Sequence, residues 1–233
     1  MVLEKYFLTG GGGTLGSEMI KIQQKHNIQF IAPPSQKCDI RSYEELLVSI
    51  RDSQCNSVIH CAALTDVKDI ELDPIKACEV NVVGTLNVIK ACRELDKKLI
   101  FISTDYVFDG KKGNYRVDDP INPVSKYAKT KAAAELLVGC FENHLIIRTS
   151  FFGKNFPYPK ALIDQYSTKD YVDIIAPLVI NEIHKNRQGI VHVGTVRSST
   201  YEKAIRRNPD VEKISLCDLD FNIPQDVSLL IGE

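Results

Sequence analysis

An α/β fold with a parallel sheet covered on both faces by helices is predicted by three features of the sequence. Residues 5–9 form a short apolar segment that runs straight into the glycine-rich turn Gly10–Gly16. The turn leads into a helical pattern carried by Leu15, Met19, Ile20 and Ile22. Apolar segments at 28–32, 57–60, 99–102 and 145–148 then alternate with helical stretches, the order that builds a Rossmann-like doubly wound parallel sheet.

The 233 residues, 44% of them apolar, suffice for one sizeable α/β unit with a small appendage. A formal net charge of −1 with both signs interspersed argues against nucleic acid as a partner. No apolar run approaches membrane-spanning length, and the N-terminus enters a strand directly, so neither a membrane partner nor a signal peptide is expected. Seven cysteines are scattered over apolar segments without metal-ligand spacing. They read as reduced thiols in a reducing compartment, the cytoplasm, with no metal site expected.

The first strand, turn and helix form the context in which glycines bind phosphate. Gly10, Gly11, Gly12, Gly13, Thr14, Leu15 and Gly16 bring backbone close to a pyrophosphate, and the helix start offers free N–H groups. The spacing has glycine at 10, 13 and 16, not the G-x-G-x-x-G of many dehydrogenases, and a dinucleotide is expected. After the second strand no acidic residue stands where it would hold a ribose 2′-hydroxyl. Ser35 and Lys37 are placed to meet a 2′-phosphate, so NADPH or NADH is the expected cofactor, and Asp39 and Ile40 would flank the adenine.

A helix over 42–51 begins with Ser42 as cap and an acidic first turn. The third strand ends in Cys61, Ala62, Ala63, Leu64 and Thr65, small enough for a cofactor to approach. His60 reads as a satisfied strand-end histidine rather than a catalyst. One long helix is predicted over 74–96 with Asn81 inside it, where an asparagine costs propensity and would hydrogen-bond a neighbouring strand. The fourth strand, 99–102, delivers Ser103, Thr104, Asp105 and Tyr106, and the loop 108–124 is expected over the site. A fifth strand spans 145–148. Beyond Gly153 the pattern loosens: a helix over 172–185 containing Pro177, a strand at 190–193, a helix over 199–207 capped by Ser198 or Ser199, and a strand near 213–216.

Tyr127 and Lys131 lie four apart on a predicted helix and share a face. An ammonium near the phenol would lower the Tyr127 pKa towards neutrality and make it a general acid for a carbonyl oxygen. Thr104, at a strand end, would hydrogen-bond the same oxygen.

These segments together resemble the dTDP-4-dehydrorhamnose reductase family of the extended short-chain dehydrogenase/reductases. The resemblance rests on 9–16, Asp39-Ile40, 60–65, Asn81-Val82-Val83-Gly84-Thr85, Ser103-Thr104-Asp105-Tyr106-Val107-Phe108-Asp109-Gly110, 127–131, Arg148-Thr149-Ser150 and Gly153-Lys154-Asn155-Phe156. It returns more weakly at 164–166 and 171–173. It implies hydride transfer to the C4 keto group of a nucleotide-linked 4-keto-6-deoxyhexose, with Tyr127 as proton donor. Lys131 would hold the nicotinamide ribose and Thr104 orient the carbonyl. Asn81 and Ser103 would join the cofactor contacts, and Val67, Asp105, Tyr106 and Phe151 would meet the sugar. Asp105 is followed by Tyr106 rather than a second carboxylate, which favours reduction over dehydration.

The family resemblance implies a cofactor-binding part at 1–153 and a small substrate-binding part at 154–233, with elements at about 172–195 returning to the first, and a homodimer as a possible assembly. The chain is shorter than typical members between Phe156 and Ile163. The family's metal-linked acidic residues and an acid–base pair for 3,5-epimerisation have no counterparts in the sequence. Two alternatives remain: a non-catalytic, cofactor-binding regulatory subunit, and an NAD-dependent nucleotide-sugar epimerase.

Overall fold

The computed structural model describes residues 3–220 and 223–232. Six strands form one parallel sheet: β1 (Glu4–Thr9), β2 (Ile28–Ile31), β3 (Ser57–His60), β4 (Lys98–Ser103), β5 (His144–Arg148) and β6 (Gly189–His192). Their spatial order is β6-β5-β4-β3-β1-β2, so the direction of winding reverses between β1 and β3. All six residues of β4 are buried, as a central parallel strand covered on both faces requires.

Five helices cover the sheet: α1 (Thr14–Ile22), α2 (Tyr43–Ser53), α3 (Gly84–Glu94), α4 (Lys126–Gly139) and α5 (Val172–His184). On one face Leu15 and Met19 of α1 and Ile175, Val179 and Ile183 of α5 pack on Leu8, Ile59, Ile100 and Ile147. On the other, Leu46 and Ile50 of α2, Val88 and Ala91 of α3, and Ala134 and Val138 of α4 pack on Phe7, Val58, Leu99 and Ile146. The alternation of the two sets along each strand follows from the two-residue period of β-structure. Helix α5 and strand β6 thus belong to the sheet layer although they follow residue 154.

Parallel register aligns the strand ends. Thr9 pairs with His60, His60 with Phe101, Ser103 with Arg148, and Arg148 with His192. The segments that leave β1, β3, β4 and β5 therefore emerge along one edge, beside the reversal point where doubly wound sheets hold ligands.

Four expectations are corrected. The helix predicted over 74–96 is interrupted: an α-turn at Pro74–Cys78 passes through a π-turn at Glu79–Val83 before α3 begins. The π-turn carries Asn81 and marks a place where side-chain bonds outweigh regular helix geometry. Ser42 starts α2 without a side-chain capping bond. Pro177, expected to kink its helix or mark the first turn, lies in the second turn of α5. The loop 108–124 is held against the C-terminal tail: Phe108 stacks on Tyr115 at 4.1 Å, and the Tyr115 N–H donates to the Ser228 carbonyl at 2.8 Å.

After β5 the chain makes three small two-stranded pairings: Phe151–Phe152 with Asp170–Tyr171, Lys160–Leu162 with Glu212–Ile214, and Tyr166–Ser167 with Ser198–Ser199. The short helix Thr200–Ala204 is capped reciprocally by Ser199 and Glu202. The predicted strand near 213–216 is the Glu212–Ile214 segment.

Candidate functional site

The glycine turn divides into two kinds of position. Gly10 has φ +74°, and a Cβ there would fall 2.6 Å from the Ala62 nitrogen; a Cβ at Gly16 would fall 2.4 Å from the Gly10 carbonyl. These glycines are needed by the protein's own backbone. Gly12 has no atom near its Cβ position, and Gly13 has only the Gly10 carbonyl at 3.3 Å. Gly12, Gly13 and Thr14 are exposed at the start of α1, where no side chain caps the helix. The N–H groups of residues 14–16 have no acceptor among the described residues, which suits a bound phosphate. Leu15 takes part only through its backbone, because its side chain is in the core.

Across the reversal point, Cys61, Ala62, Ala63 and Leu64 are half-buried and Thr65 is exposed. Ser35 and Lys37 are exposed on the turn after β2. The Arg41 guanidinium holds the Asp39 carboxylate at 2.6 Å and keeps its pKa below the usual carboxylate range. Ile40 is buried beneath Gly84, where a Cβ would meet its Cδ1 at 2.7 Å. Asn87 fixes this turn by donating to the carbonyls of Ile40 and Arg41, both at 3.0 Å.

Asn81 and Ser103, expected among the cofactor contacts, are committed to protein atoms. The Asn81 amide accepts from the Leu64 N–H at 2.7 Å and donates to the Leu64 carbonyl and Thr130 Oγ1, both at 2.9 Å. The Ser103 hydroxyl donates to Glu135, whose other oxygen receives Arg148 at 2.7 Å in a fully buried ion pair. Both residues therefore position the site from behind.

The Asn81 contacts end a longer chain of buried hydrogen bonds. The Ala62 N–H donates to Thr9 Oγ1 at 3.3 Å, Thr9 Oγ1 meets His60 Nδ1 at 2.7 Å, and His60 Nε2 meets Thr85 Oγ1 at 3.0 Å. The Thr85 hydroxyl donates to the Asn81 carbonyl at 2.6 Å. With its only proton spent, Thr85 must accept from His60, so the imidazole is neutral with its proton on Nε2, and Thr9 donates to Nδ1. Thr130 continues the line by donating to the Tyr127 carbonyl at 2.8 Å. Burial holds the His60 pKa down at about 3.

At the end of β4, Thr104 Oγ1 accepts the Tyr106 N–H and donates to Asp105 Oδ1, both at 3.2 Å, and it lies near the Tyr127 phenol, whose pKa it acts to lower. Lys131 donates to the Ile102 carbonyl at 2.8 Å and lies 4.2 Å from the Phe101 ring centroid. Its pKa is pushed down to about 8 by burial. The expectation that Lys131 lowers the Tyr127 pKa is corrected. Burial raises the phenol, reinforced by Asp105 and Tyr106 and opposed only by Thr104. Tyr127 is thus a protonated phenol at neutral pH, the form that donates a proton.

Asp105 is buried, which raises its pKa, an effect that Lys169 and the neighbouring Ser150 and Thr104 hydroxyls oppose. Tyr106 lies against it, and Phe151 is half-buried at the edge of the sheet core. Val67 is 54% exposed at the start of the helix Val67–Leu72, which packs against α4. Thr149, at the end of β5, is buried with its hydroxyl unpaired among the described residues. Sequence reasoning missed Thr85, Asn87, Thr130 and Lys169. Thr130 sits inside the Tyr127–Lys131 motif and was legible there; Lys169 lies in the loosely patterned segment and left no signal. Among the described residues no group of three or more His, Cys, Asp or Glu side chains could hold a metal.

The family model described as RmlD substrate binding domain matches residues 4–179. The chain belongs to this family. A dTDP-4-dehydrorhamnose reductase from Aggregatibacter actinomycetemcomitans is 32% identical over 182 residues, covering 75% of this chain and 61% of that protein. The solved structure of a dTDP-4-dehydrorhamnose reductase from Clostridium acetobutylicum superposes with a TM-score of 0.86 at 27% identity, covering 97% of this chain and 89% of that one. Methionine adenosyltransferase 2 subunit beta from Bos taurus is 32% identical over 148 residues, 60% of this chain and 44% of that protein. The chain spans 61% and 42% of the length of two reductase relatives, the second from Mycolicibacterium smegmatis.

The His60 chain has a pH signature. Its folded pKa lies below the ordinary histidine value of 6.5, so the stabilisation from burying the neutral ring is complete above pH 6.5 and is lost as pH falls towards 3. The loss is on the order of 4 kcal/mol. Chemical denaturation at pH 7 and pH 4 should show wild type losing several kcal/mol more than His60→Gln. Equal losses in both proteins would remove His60 from the account.

Proposed function

We propose that this chain is an NAD(P)H-dependent reductase acting on the C4 keto group of a nucleotide-linked 4-keto-6-deoxyhexose. The observation that carries the reading is the gathering of Thr104, Tyr127 and Lys131 at the end of β4, with Thr104 near enough to influence the Tyr127 phenol and Lys131 fixed on the Ile102 carbonyl. Two neighbouring hydroxyls can share a carbonyl oxygen: Thr104 turns its single proton from Asp105 to the carbonyl, and Tyr127 delivers its own proton as negative charge develops. A bound reduced nicotinamide supplies the hydride for the carbonyl carbon. Lys131, fixed by Ile102, presents its ammonium on the same side and is the group that would meet the nicotinamide ribose.

The residues fit a dinucleotide on their own geometry. The uncapped start of α1 and the open Cβ position of Gly12 suit the pyrophosphate. Exposed Lys37 and Ser35, with no carboxylate replacing them, favour NADPH over NADH. Relatives named as dTDP-4-dehydrorhamnose reductases support the substrate class.

The division into a cofactor part at 1–153 and a substrate part at 154–233 belongs to the same proposal, with α5 and β6 counted in the first. So does a homodimer: Leu72, Ile75 and Leu136 are 85%, 68% and 61% exposed on neighbouring helices of one face. Sedimentation velocity should find two copies, and a monomer at micromolar concentration would end that part. Seven unpaired cysteines and the absence of a described helix long and apolar enough to cross a membrane support a cytoplasmic protein. A regulatory-subunit role is the second reading, favoured by the subunit beta relative. The intact Thr104, Tyr127 and Lys131 weigh against it.

Tyr127→Phe should reduce turnover by about 100-fold or more while leaving NADPH affinity within about twofold. Gly13→Val should do the reverse at low cofactor, weakening NADPH binding by a clash at the pyrophosphate. Steady-state kinetics with fluorescence titration of NADPH separates the two. Wild-type turnover in Tyr127→Phe would refute the proton-donor role, and unchanged affinity in Gly13→Val would move the cofactor elsewhere.

A further inference from the structure

The basic residues between 154 and 207 are nearly all spent on the protein itself. Lys154 pairs with Glu18, Lys160 with Glu212, Lys185 and Arg187 with Glu182, Arg197 with Asp226, Arg206 with Asp170 and Arg207 with Asp173. Buried Lys203 places all three of its donors, on the Ser167 carbonyl and hydroxyl and the Ser198 carbonyl. Lys169 differs. It is half-buried, and among the described residues its ammonium has neither a hydrogen-bond acceptor nor an ion pair within 4.0 Å.

Its surroundings are aromatic. The Lys169 Nζ lies 4.6 Å from the Phe152 ring centroid and 5.8 Å from that of Tyr106. Phe152 continues through an edge contact with Phe156 at 5.3 Å to Tyr158 at a further 5.6 Å, and the Tyr158 ring is 61% exposed. Asp105 and Tyr158 favour the ammonium's charge and the buried Lys203 cation opposes it; Asp105 adjoins Thr104 in the site. Three unspent N–H donors on a partly desolvated cation are costly without an acceptor. Ring faces stabilise the charge but leave those donors unused. An anion arriving from solvent would use all three. An exposed aromatic ring beside a free cation is also the pairing that takes a nucleotide, base on ring and phosphate on ammonium.

We propose that Lys169 binds the diphosphate of the nucleotide-linked substrate, within a rim formed by Tyr106, Phe152 and Tyr158. The inference rests on the reading of the site as a nucleotide-sugar reductase and names the residue that grips the nucleotide. The position suits a chain shortened between Phe156 and Ile163, because the cation comes from the segment after the short strand Tyr166–Ser167 instead.

Calorimetric titration of the full chain, saturated with NADP⁺ to fill the dinucleotide site, with dTDP, UDP and thymidine tests this. Lys169→Gln should weaken dTDP and UDP by about 10- to 100-fold, Lys169→Arg should restore binding to within a few-fold of wild type, and thymidine should not distinguish the three proteins. In turnover, the same factor should appear in KM with kcat nearly unchanged. Equal diphosphate affinity in wild type and Lys169→Gln, or no diphosphate binding by wild type at millimolar concentration, would overturn the proposal. If binding depends on Lys169 while no keto-sugar is reduced, the anion site stands and the proposed reaction falls. If reduction proceeds and Lys169→Gln changes nothing, the reverse holds.

Discussion

The neutral imidazole of His60 joins two elements that must keep a fixed separation for the site to work. On one side its Nδ1 takes the Thr9 hydroxyl, immediately before the glycine turn; on the other its Nε2–H reaches Thr85, and through it the π-turn that carries Asn81. Asn81 then clamps Leu64 and Thr130, and Thr130 holds the carbonyl of Tyr127. Each member is buried or half-buried, so water cannot replace a lost partner cheaply. The glycine turn, the small-residue segment after β3 and the helix bearing Tyr127 are thereby fixed relative to one another. The irregular π-turn is the local cost of aiming Asn81 at both neighbours.

A second buried group works from the opposite side of β4. Glu135 receives Ser103 and Arg148, and Arg148 also donates to the Val117 carbonyl at 3.1 Å. The ion pair is 4% exposed on both sides, so removing either partner would strand a charge at a cost of about 3–5 kcal/mol. It ties α4 to the ends of β4 and β5, below Thr104 and Tyr127. Burial also sets the protonation states that the chemistry needs. Tyr127 stays a phenol, and Lys131 keeps an ammonium steadied by a carbonyl and the Phe101 ring.

The sheet was legible because each of its strands is an apolar run bounded by a turn or by small polar residues, and because parallel strands need helices between them. The glycine turn and the Tyr127–Lys131 spacing were legible for a similar reason: both are local patterns. Asn81, Ser103 and Asp39 were recognisable as special, but not for what they hold. Their partners Thr130, Glu135 and Arg41 are fixed by tertiary contact in the first two cases and by a turn in the third. Lys169 was invisible, since a lone lysine in a segment of two-residue strands has no period to betray it. The relation between Tyr127 and Lys131 was misjudged because helical spacing predicts proximity, whereas burial decides the pKa.

The site brings Thr104, Tyr127 and Lys131 together with a glycine turn in a chain that spans 61% of the length of its Aggregatibacter relative. Whether that suffices for turnover is decided most directly by following NADPH and NADH oxidation at 340 nm with dTDP- and UDP-4-keto-6-deoxyglucose. Cofactor oxidation with one of these sugars, faster with NADPH, is the predicted result. Binding of NADPH without oxidation by either sugar would contradict the account and place the chain among non-catalytic subunits of this fold.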